Sequence, residues 1–441
     1  MSFPKYPAYK NSGVEWLGDV PEHWALKRLG QLFSERRERA SDTEFEPLSV
    51  TKNGIVPRLE TAAKTQDGDN RKKVLRGDFV INSRSDRKGS AGLSLLNGSV
   101  SLICTVITPD GISGKFAHHL LRSVPFQEEY YRWGKGIVAD LWSTNFSDMK
   151  NIFLGIPPET EQTQIARFLD HETARIDALI EEQQRLIELL KEKRQAVISH
   201  AVTKGLDPSV PMKDSGVEWL GEVPAHWSVG ALGYFAEIDS GATPDRSNSK
   251  FWGGNIPWIK TGEVNYENIS QAEEYITDEG VNNSAAKVAP KGTLLMAMYG
   301  QGVTRGRVAI LDIDAAYNQA CAGIFVDRRI RVEFLRLFFM AAYPYIRDGG
   351  NEASQMNLSS GYIAKIKITA PPIDDQLSIE NYLDSEITRF DSLIAEADFL
   401  ARHLQERRSA LISAAVTGKI DLRGWQPPAG TPTSIREQET A

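Results

Sequence analysis

The chain is poor in cysteine: Cys104 and Cys321 are the only two in 441 residues, and neither sits in a Cys-x-x-Cys pair. A disulfide framework and a cysteine-rich zinc site are therefore excluded. No apolar run approaches the ~18 residues that a membrane-spanning helix requires. The start, Met1-Ser-Phe-Pro-Lys-Tyr-Pro-Ala-Tyr9, lacks the basic-then-apolar order of a secretory leader. A cytoplasmic protein without a membrane partner is expected. Compositional bias is also absent, since 41% hydrophobic, 25% charged and 9% aromatic residues describe an ordinary globular chain. At this length several folding units are expected rather than one core.

Catalytic signatures are missing as well. No Gly-x4-Gly-Lys-Ser/Thr loop is present to cradle a phosphate. The Pro-Pro pairs, Ile156-Pro-Pro-Glu159 and Ala370-Pro-Pro-Ile373, lack the Asn or Asp that an adenine-methylating Asn/Asp-Pro-Pro-Tyr/Phe turn offers to its base. The seven histidines, His118-His119 included, do not fall at metal-ligand spacing. Asp78 with Asp86-Arg-Lys88 imitates a magnesium nuclease, but the matching stretch of the second half, Gly292-Thr293 and then Gly300-Gln-Gly302, carries no carboxylate. No catalytic and no metal-binding residue is assigned. A chain that recognises rather than reacts is expected.

What is present is repetition. Lys10-Asn-Ser-Gly-Val-Glu-Trp-Leu-Gly-Asp-Val-Pro-Glu-His-Trp24 returns 203 residues later as Lys213–Trp227, identical at 12 of 15 positions. Residues 157–207 return at 371–421, offset by 214 and without a gap, sharing Gln162/Gln376, Leu169-Asp170/Leu383-Asp384 and Ala201-Val-Thr203/Ala415-Val-Thr417. The stretches between, 25–156 and 228–370, differ in length by 11 residues and look little alike.

The longer repeat reads as helix, opened by the proline pair with Thr160 or Asp374 as candidate N-cap and closed by Gly205 or Gly418. A three-four spacing aligns Leu169, Ile176, Leu179, Leu186, Leu190 and Val197 in one copy. In the other it aligns Leu383, Phe390, Leu393, Leu400, Leu404 and Leu411. Both stripes predict a coiled-coil seam, interrupted at Glu172/Glu386 and Lys193/Arg407. Chain order requires the two helices to run antiparallel if they pair. The expected fold is α+β: two α/β domains separated by an antiparallel two-helix coiled coil, with a pseudo-two-fold internal repeat.

Net charge is −7, from 51 Lys+Arg against 58 Asp+Glu, but it is unevenly placed. Residues 25–156 carry +5, residues 228–370 carry −1, and the repeats and tails carry −11. Both variable domains hold a strand, a basic glycine-rich loop and a second strand, at Phe79–Leu93 and Leu294–Val308. Glycine lets backbone approach a groove, Arg can bond guanine edges with two hydrogen bonds, and Asn or Gln can do so with adenine. Candidate DNA contacts are accordingly Lys52, Arg71, Lys72, Lys73, Asn82, Arg84, Arg87 and Lys88 in the first domain. In the second they are Lys260, Tyr299, Gln301, Arg305 and Arg307. Trp252 and Trp258 are read as packing anchors.

Tyr6-x-x-Tyr-Lys-x-Ser-Gly-Val-Glu-Trp-Leu-Gly-x-Val-Pro-x-His-Trp24, the Pro-Pro-x-x-x-Gln-x-x-Ile opening of each long helix, Ala201-Val-Thr-Lys-Gly-Leu-Asp207 and Ala415-Val-Thr-Gly-Lys-Ile-Asp421 together resemble the specificity (S) subunit of type I restriction-modification enzymes. The resemblance spans residues 6–425. It implies a conserved segment at 1–24, target recognition domain 1 at 25–156, a central long helix and linker at 157–212 and the repeated segment at 213–227. Target recognition domain 2 follows at 228–370, then a second long helix at 371–421 and a flexible tail at 422–441. It also implies that each recognition domain binds one half of an asymmetric bipartite site on double-stranded DNA, the helices setting the gap and docking two modification subunits. S-adenosylmethionine would then belong to the modification subunit, and ATP and magnesium to a restriction subunit, with no cofactor on this chain. The alternatives are the specificity subunit of a methylation-only or other phage-defence complex, or a coiled-coil scaffold holding two protein-binding domains.

Overall fold

A computed structural model describes residues 3–60, 68–136, 142–300, 303–348 and 358–427. The chain divides into two compact units, the first formed by residues 1–184 and 399–441 and the second by 185–398. Two helices dominate the sequence pattern, Glu159–Lys204 and Ile373–Val416. Each contributes one half to each unit.

In the first unit a four-stranded antiparallel sheet takes the order Ala91–Leu93, Phe79–Asn82, Cys104–Pro109, Phe33–Glu35. Phe79-Val-Ile-Asn82 is buried along its whole length, as a central strand covered on both faces must be. The helix Gly114–Arg122 lays Phe116, Ala117, Leu120 and Leu121 on this core, and Val124–Arg132 follows with Phe126 and Tyr130. A second sheet pairs Gly98–Val100, Arg71–Val74 and Arg39–Ala40.

The second unit repeats the design in a different sequence. Its four-stranded sheet runs Val308–Ile310, Leu294–Ala297, Cys321–Val326, Ala236–Ser240, again antiparallel. The helix Val332–Asp348 covers it with Phe334, Leu335, Phe338 and Phe339. The accessory sheet differs: Trp252–Ile259 pairs with Glu274–Ile276 across a bulge and with Ala316–Tyr317 in parallel.

Each variable domain is closed at its neck. Ala25–Arg28 pairs antiparallel with Phe153–Ile156, and Ser228–Ala231 with Lys367–Ala370. The entering strand keeps the 203-residue offset and the leaving strand the 214-residue offset. The 11 extra residues are thus contained inside the second domain without disturbing the helices.

The repeated residues prove to be the joints. Trp24 Nε1 donates to Glu161 at 3.0 Å and His23 Nε2 lies 2.8 Å from the same carboxylate; Trp227 Nε1 and His226 make the equivalent bonds to Asp375, both at 2.8 Å. Gln162 donates to the Pro157 carbonyl and accepts the Ser113 N–H, while Gln376 donates to Pro371 and accepts from Arg331. Each glutamine ties a long helix to the start of the domain's covering helix. Lys419 donates to the carbonyls of Leu17 and Asp19, and Lys204 to those of Leu220 and Glu222. Gly205 and Gly418, at φ +76° and +72°, turn the chain out of the two helices.

Tyr6 Oη also donates to Glu161, at 2.5 Å, and burial beside that carboxylate holds its phenol well above the ordinary range. Replacing Glu161 with Ala removes the acceptor of two buried donors, Tyr6 Oη and Trp24 Nε1. Urea denaturation of the full chain is expected to register a loss of roughly 2–4 kcal/mol, with Glu161→Gln falling between. A change below ~1 kcal/mol would mean the carboxylate does not hold this joint.

Three expectations are corrected. The long helices begin at Glu159 and Ile373, so Thr160 and Asp374 lie inside the first turn rather than capping it. The stretch from 422 is not loose at its start: Leu422 is buried, Trp425 meets Phe168 edge-on at 5.2 Å, and the Asp421 N–H donates to the Pro4 carbonyl. The seam also steps sideways. Leu169, Ile176, Leu383 and Phe390 are buried in it, and Leu190, Val197, Leu404 and Leu411 are half-buried. Leu179, Leu186, Leu393 and Leu400, however, are 36%, 43%, 39% and 46% exposed. Ile180, Ile187, Ile394 and Ala401 take the inward positions instead. An α-helix of 3.6 residues per turn drifts ~20° per heptad against a strict seven-residue stripe, which carries the contact line one residue over. The polar interruption moves with it from Lys193/Arg407 to Arg194/Arg408. Arg408 reaches Asp177 at 2.7 Å in the first unit, and Arg194 reaches Asp391 at 3.1 Å in the second. These pairs are exchanged by the 214-residue offset, so both units use one antiparallel register.

Candidate nucleic-acid interface

The two basic loops are hairpin connections at the same place in both sheets. Phe79–Asn82 turns through 83–90 into Ala91–Leu93, and Leu294–Ala297 turns through 298–307 into Val308–Ile310. In the first loop Arg84 and Arg87 reach solvent, with Asp86 3.9 and 3.6 Å away as their acidic neighbour. Lys88 is pulled aside, 2.5 Å from Glu128 and over the Tyr131 ring. Asn82 is buried, its side-chain oxygen accepting the Arg84 N–H at 3.2 Å.

The basic strand 71–73 is mostly structural. Arg71 is buried, its guanidinium donating to the hydroxyl and carbonyl of Ser99 at 2.8 and 3.1 Å. Lys72 gives its ammonium to the Cys104 carbonyl at 2.7 Å, and burial lowers its pKa. Lys73 pairs with Glu38 at 3.0 Å over the Phe45 ring. Alternation in a strand turns Lys72 to the face opposite Arg71 and Lys73. Lys52 is exposed in the turn between Leu48–Thr51 and Gly54–Pro57.

In the second domain Tyr299 is exposed and Arg305 is buried, donating to the Arg347 carbonyl. Arg307 lies against the Tyr266 ring at 5.8 Å, and Gln301 falls outside the described residues. Lys260 sits between Glu273 and Glu274 at 2.7 and 3.2 Å, hydrogen bonds that raise its pKa and offset its charge locally. Trp252 and Trp258 donate to the Asp245 and Ala242 carbonyls, with Arg246 stacked on both rings. They are packing anchors.

The nuclease-like carboxylate is consumed by structure: Asp78 is buried, bonded by Arg36 through two nitrogens at 2.7 and 3.1 Å and by Thr108 and the Leu75 N–H. His119 bonds Asp170 at 2.7 Å, and His118, pushed down to about 3 by burial and then by nearby Arg122, accepts the Leu93 N–H. Among the described residues no cluster of three His, Cys, Asp or Glu is placed to hold a metal ion, and no helix is long and apolar enough to cross a membrane.

One element beside the first loop escapes the basic-glycine pattern. Trp142 and Ser143 lie against it, the Ser85 N–H donating to the Trp142 carbonyl at 2.9 Å. Trp133-Gly-Lys-Gly136 in the same connection is the one local hint of it in the sequence.

Comparison with known proteins completes the picture. Residues 224–395 match the family described as the type I restriction modification DNA specificity domain. A putative type I restriction enzyme MjaX specificity subunit from Methanocaldococcus jannaschii is 22% identical over 96% of this chain and 99% of its own length. The EcoR124I/EcoR124II specificity subunit of Escherichia coli is 25% identical over 63% of each chain. A chain solved in work on complex assembly and conformational transition of the type I R-M system superposes with a TM-score of 0.70 over 90% of this chain and 98% of that one, at 16% identity. The HsdS subunit from Thermoanaerobacter tengcongensis superposes with a TM-score of 0.52 over 91% and 98%, also at 16% identity. The two structural likenesses establish the fold, and by its matched domain and its full-length relative this chain is similar to type I restriction-modification specificity subunits.

Proposed function

We propose that this chain is the DNA-reading subunit of a type I restriction-modification complex, in which each recognition domain binds one half of an asymmetric bipartite site. The observation that carries this reading is the one scaffold used twice with different contents. Strand order, neck and helix joints are repeated, while the hairpin loops differ in length and sequence, the first carrying Asp86 and Lys88 and the second Tyr299 and Gln301 beside the arginines that both hold. Two copies of one mount with two different reading heads suit a site with two unlike halves. The paired helices set the gap between the halves.

The chain supplies recognition and no chemistry of its own. S-adenosylmethionine belongs to two modification subunits, and ATP with magnesium to a restriction subunit where one is present. The leucines displaced from the seam suit protein docking: Leu179 and Leu400 are exposed in the first unit, and their offset partners Leu393 and Leu186 in the second. Each unit therefore offers the same apolar pair once, in a spacer whose negative charge does not favour phosphate. Incubating the complex with a random duplex pool and sequencing the bound fraction tests the reading. Two fixed half-sites at a fixed gap are expected, and a pool recovered without sequence bias would leave the scaffold alternative standing.

Within the first loop, Arg84→Ala with Arg87→Ala is expected to reduce the slope of log affinity against log salt by up to about 0.9 for each phosphate left without its cation. Lys88→Ala should change it little, because Lys88 already pairs with Glu128. An unchanged slope in the double variant would turn this loop away from DNA.

A further inference from the structure

We propose that Trp142 is a specificity-determining residue of the first recognition domain, contacting a base step of duplex DNA beside Arg84 and Arg87; this rests on the DNA-reading function proposed above. Trp142 lies in a short backbone layer built onto the basic hairpin loop. The Ser85 N–H donates to the Trp142 carbonyl at 2.9 Å, and the Thr144 N–H donates to the Ser83 carbonyl at 3.0 Å. Ser143 forms antiparallel bridges with Arg84 on one side and Lys135 on the other, exchanging two 3.1 Å hydrogen bonds with Lys135.

The layer is fastened to the core from below. Tyr130 Oη donates to the Thr144 carbonyl at 2.7 Å, and Thr144 Oγ1 donates back to the Tyr130 carbonyl at 3.0 Å. Lys135 gives its ammonium to Asp148, a buried carboxylate, at 2.6 Å. Lys135 therefore anchors the layer. The backbone on the C-terminal side of Trp142 is fixed, yet the residue remains 41% exposed while Tyr130 and Thr144 beneath are buried.

A rigidly mounted, exposed indole offers a large flat surface at little conformational cost, which suits stacking on a base or wedging a base step. Its charged surroundings select the occupant. Arg84 and Arg87 stand on the loop to which this layer is bonded, with Asp86 3.9 and 3.6 Å from them, so phosphate is attracted to the same loop. The second domain repeats one bond of this layer. The Leu358 N–H donates to the Met298 carbonyl at 3.0 Å, and Leu358 stands 214 residues after Thr144. Asn145 and Ser359, next in line, both cap the helix that follows. The bond from this strand to the hairpin loop is thus common to both domains, while the sequences that precede it, Leu141-Trp-Ser143 and Gln355-Met-Asn357, differ.

The test uses the full chain assembled with its modification subunits. Wild type, W142A, W142F and, as a control on an exposed tryptophan elsewhere in the connection, W133A are each taken through selection from a random duplex pool and through titration on the selected site. W142A is expected to lose about ten- to a hundredfold in specific affinity and to relax base preference at one or two adjacent positions of one half-site, leaving the other half unchanged. W142F should keep most of the preference, and W133A should match wild type. Wild type selecting a bipartite site while W142A selects it with equal affinity would overturn the proposal. So would a W142A variant that keeps its base preference but sheds modification subunits in sedimentation, which would make Trp142 a protein contact. Wild type selecting no sequence would overturn the DNA-reading function itself.

Discussion

Removing one heptad from each long helix, residues 183–189 together with 397–403, is expected to shorten the gap between recognised half-sites by about three base pairs. Seven residues at ~1.5 Å each take about 10 Å from each helix, and duplex DNA rises ~3.4 Å per base pair. The cut must be matched because the register is shared. Asp177 meets Arg408 and Arg194 meets Asp391; removing seven residues between Asp177 and Arg194, and seven between Asp391 and Arg408, leaves both pairs in step. A deletion in one helix alone breaks one of them and should cost binding rather than move the gap. Pool selection with the shortened complex reads the result: unchanged half-sites with a smaller gap are expected. An unaltered gap would show that the helices do not set the spacing.

A fragment ending at residue 212 is expected to dimerise and to read an inverted repeat of the first half-site. Alone it lacks Ile412, Ala415, Val416 and Leu422, which are buried in the core of the first unit. Leaving their partners in water is worth several kcal/mol at ~25 cal/mol per Å² of apolar surface. A second fragment can supply Ile198, Ala201 and Val202 in place of the first three, because they stand 214 residues earlier and are buried by the second unit in the same register. Arg194 of one copy would meet Asp177 of the other as Arg408 does in the intact chain. The seam centre fits less well. Ala397 and Ala401 are small and buried in the intact chain, and the fragment replaces them with Gln183 and Ile187. Overpacking of this kind typically costs ~1–3 kcal/mol, so the dimer should be weaker than the native pair. Sedimentation that finds a monomer at high micromolar concentration, or a dimeric complex that still selects only the asymmetric site, would refute the idea.

The reach of sequence reasoning followed the range of the interactions concerned. The repeated segments were legible because their residues bond one another locally or across a joint used twice: the His-Trp pair on a helix carboxylate, the glutamine on a helix start. Both hairpin loops were legible as well, since apolar strand, glycine turn and apolar strand is a local pattern. Which of their cations reach solvent was not. Arg71 and Arg305 carry the same charge as Arg84, but bond inward to Ser99 and to the Arg347 carbonyl, 28 and 42 residues away. Trp142 was hidden for the same reason, its neighbour Ser85 being distant in the chain.

The amino-acid sequence alone therefore determined the two-fold plan of this protein, its two unlike domains and its antiparallel helices, because repetition and helical periodicity are properties of residue order. Tertiary structure decided the rest. It chose Ile180, Ile187, Ile394 and Ala401 over the leucines for the seam, since the contact line between two helices depends on their accumulated twist and not on a seven-residue count. It also chose which basic residues are buried and which aromatic stands beside the first hairpin loop, since strand pairing brings together residues whose separation in sequence carries no signal.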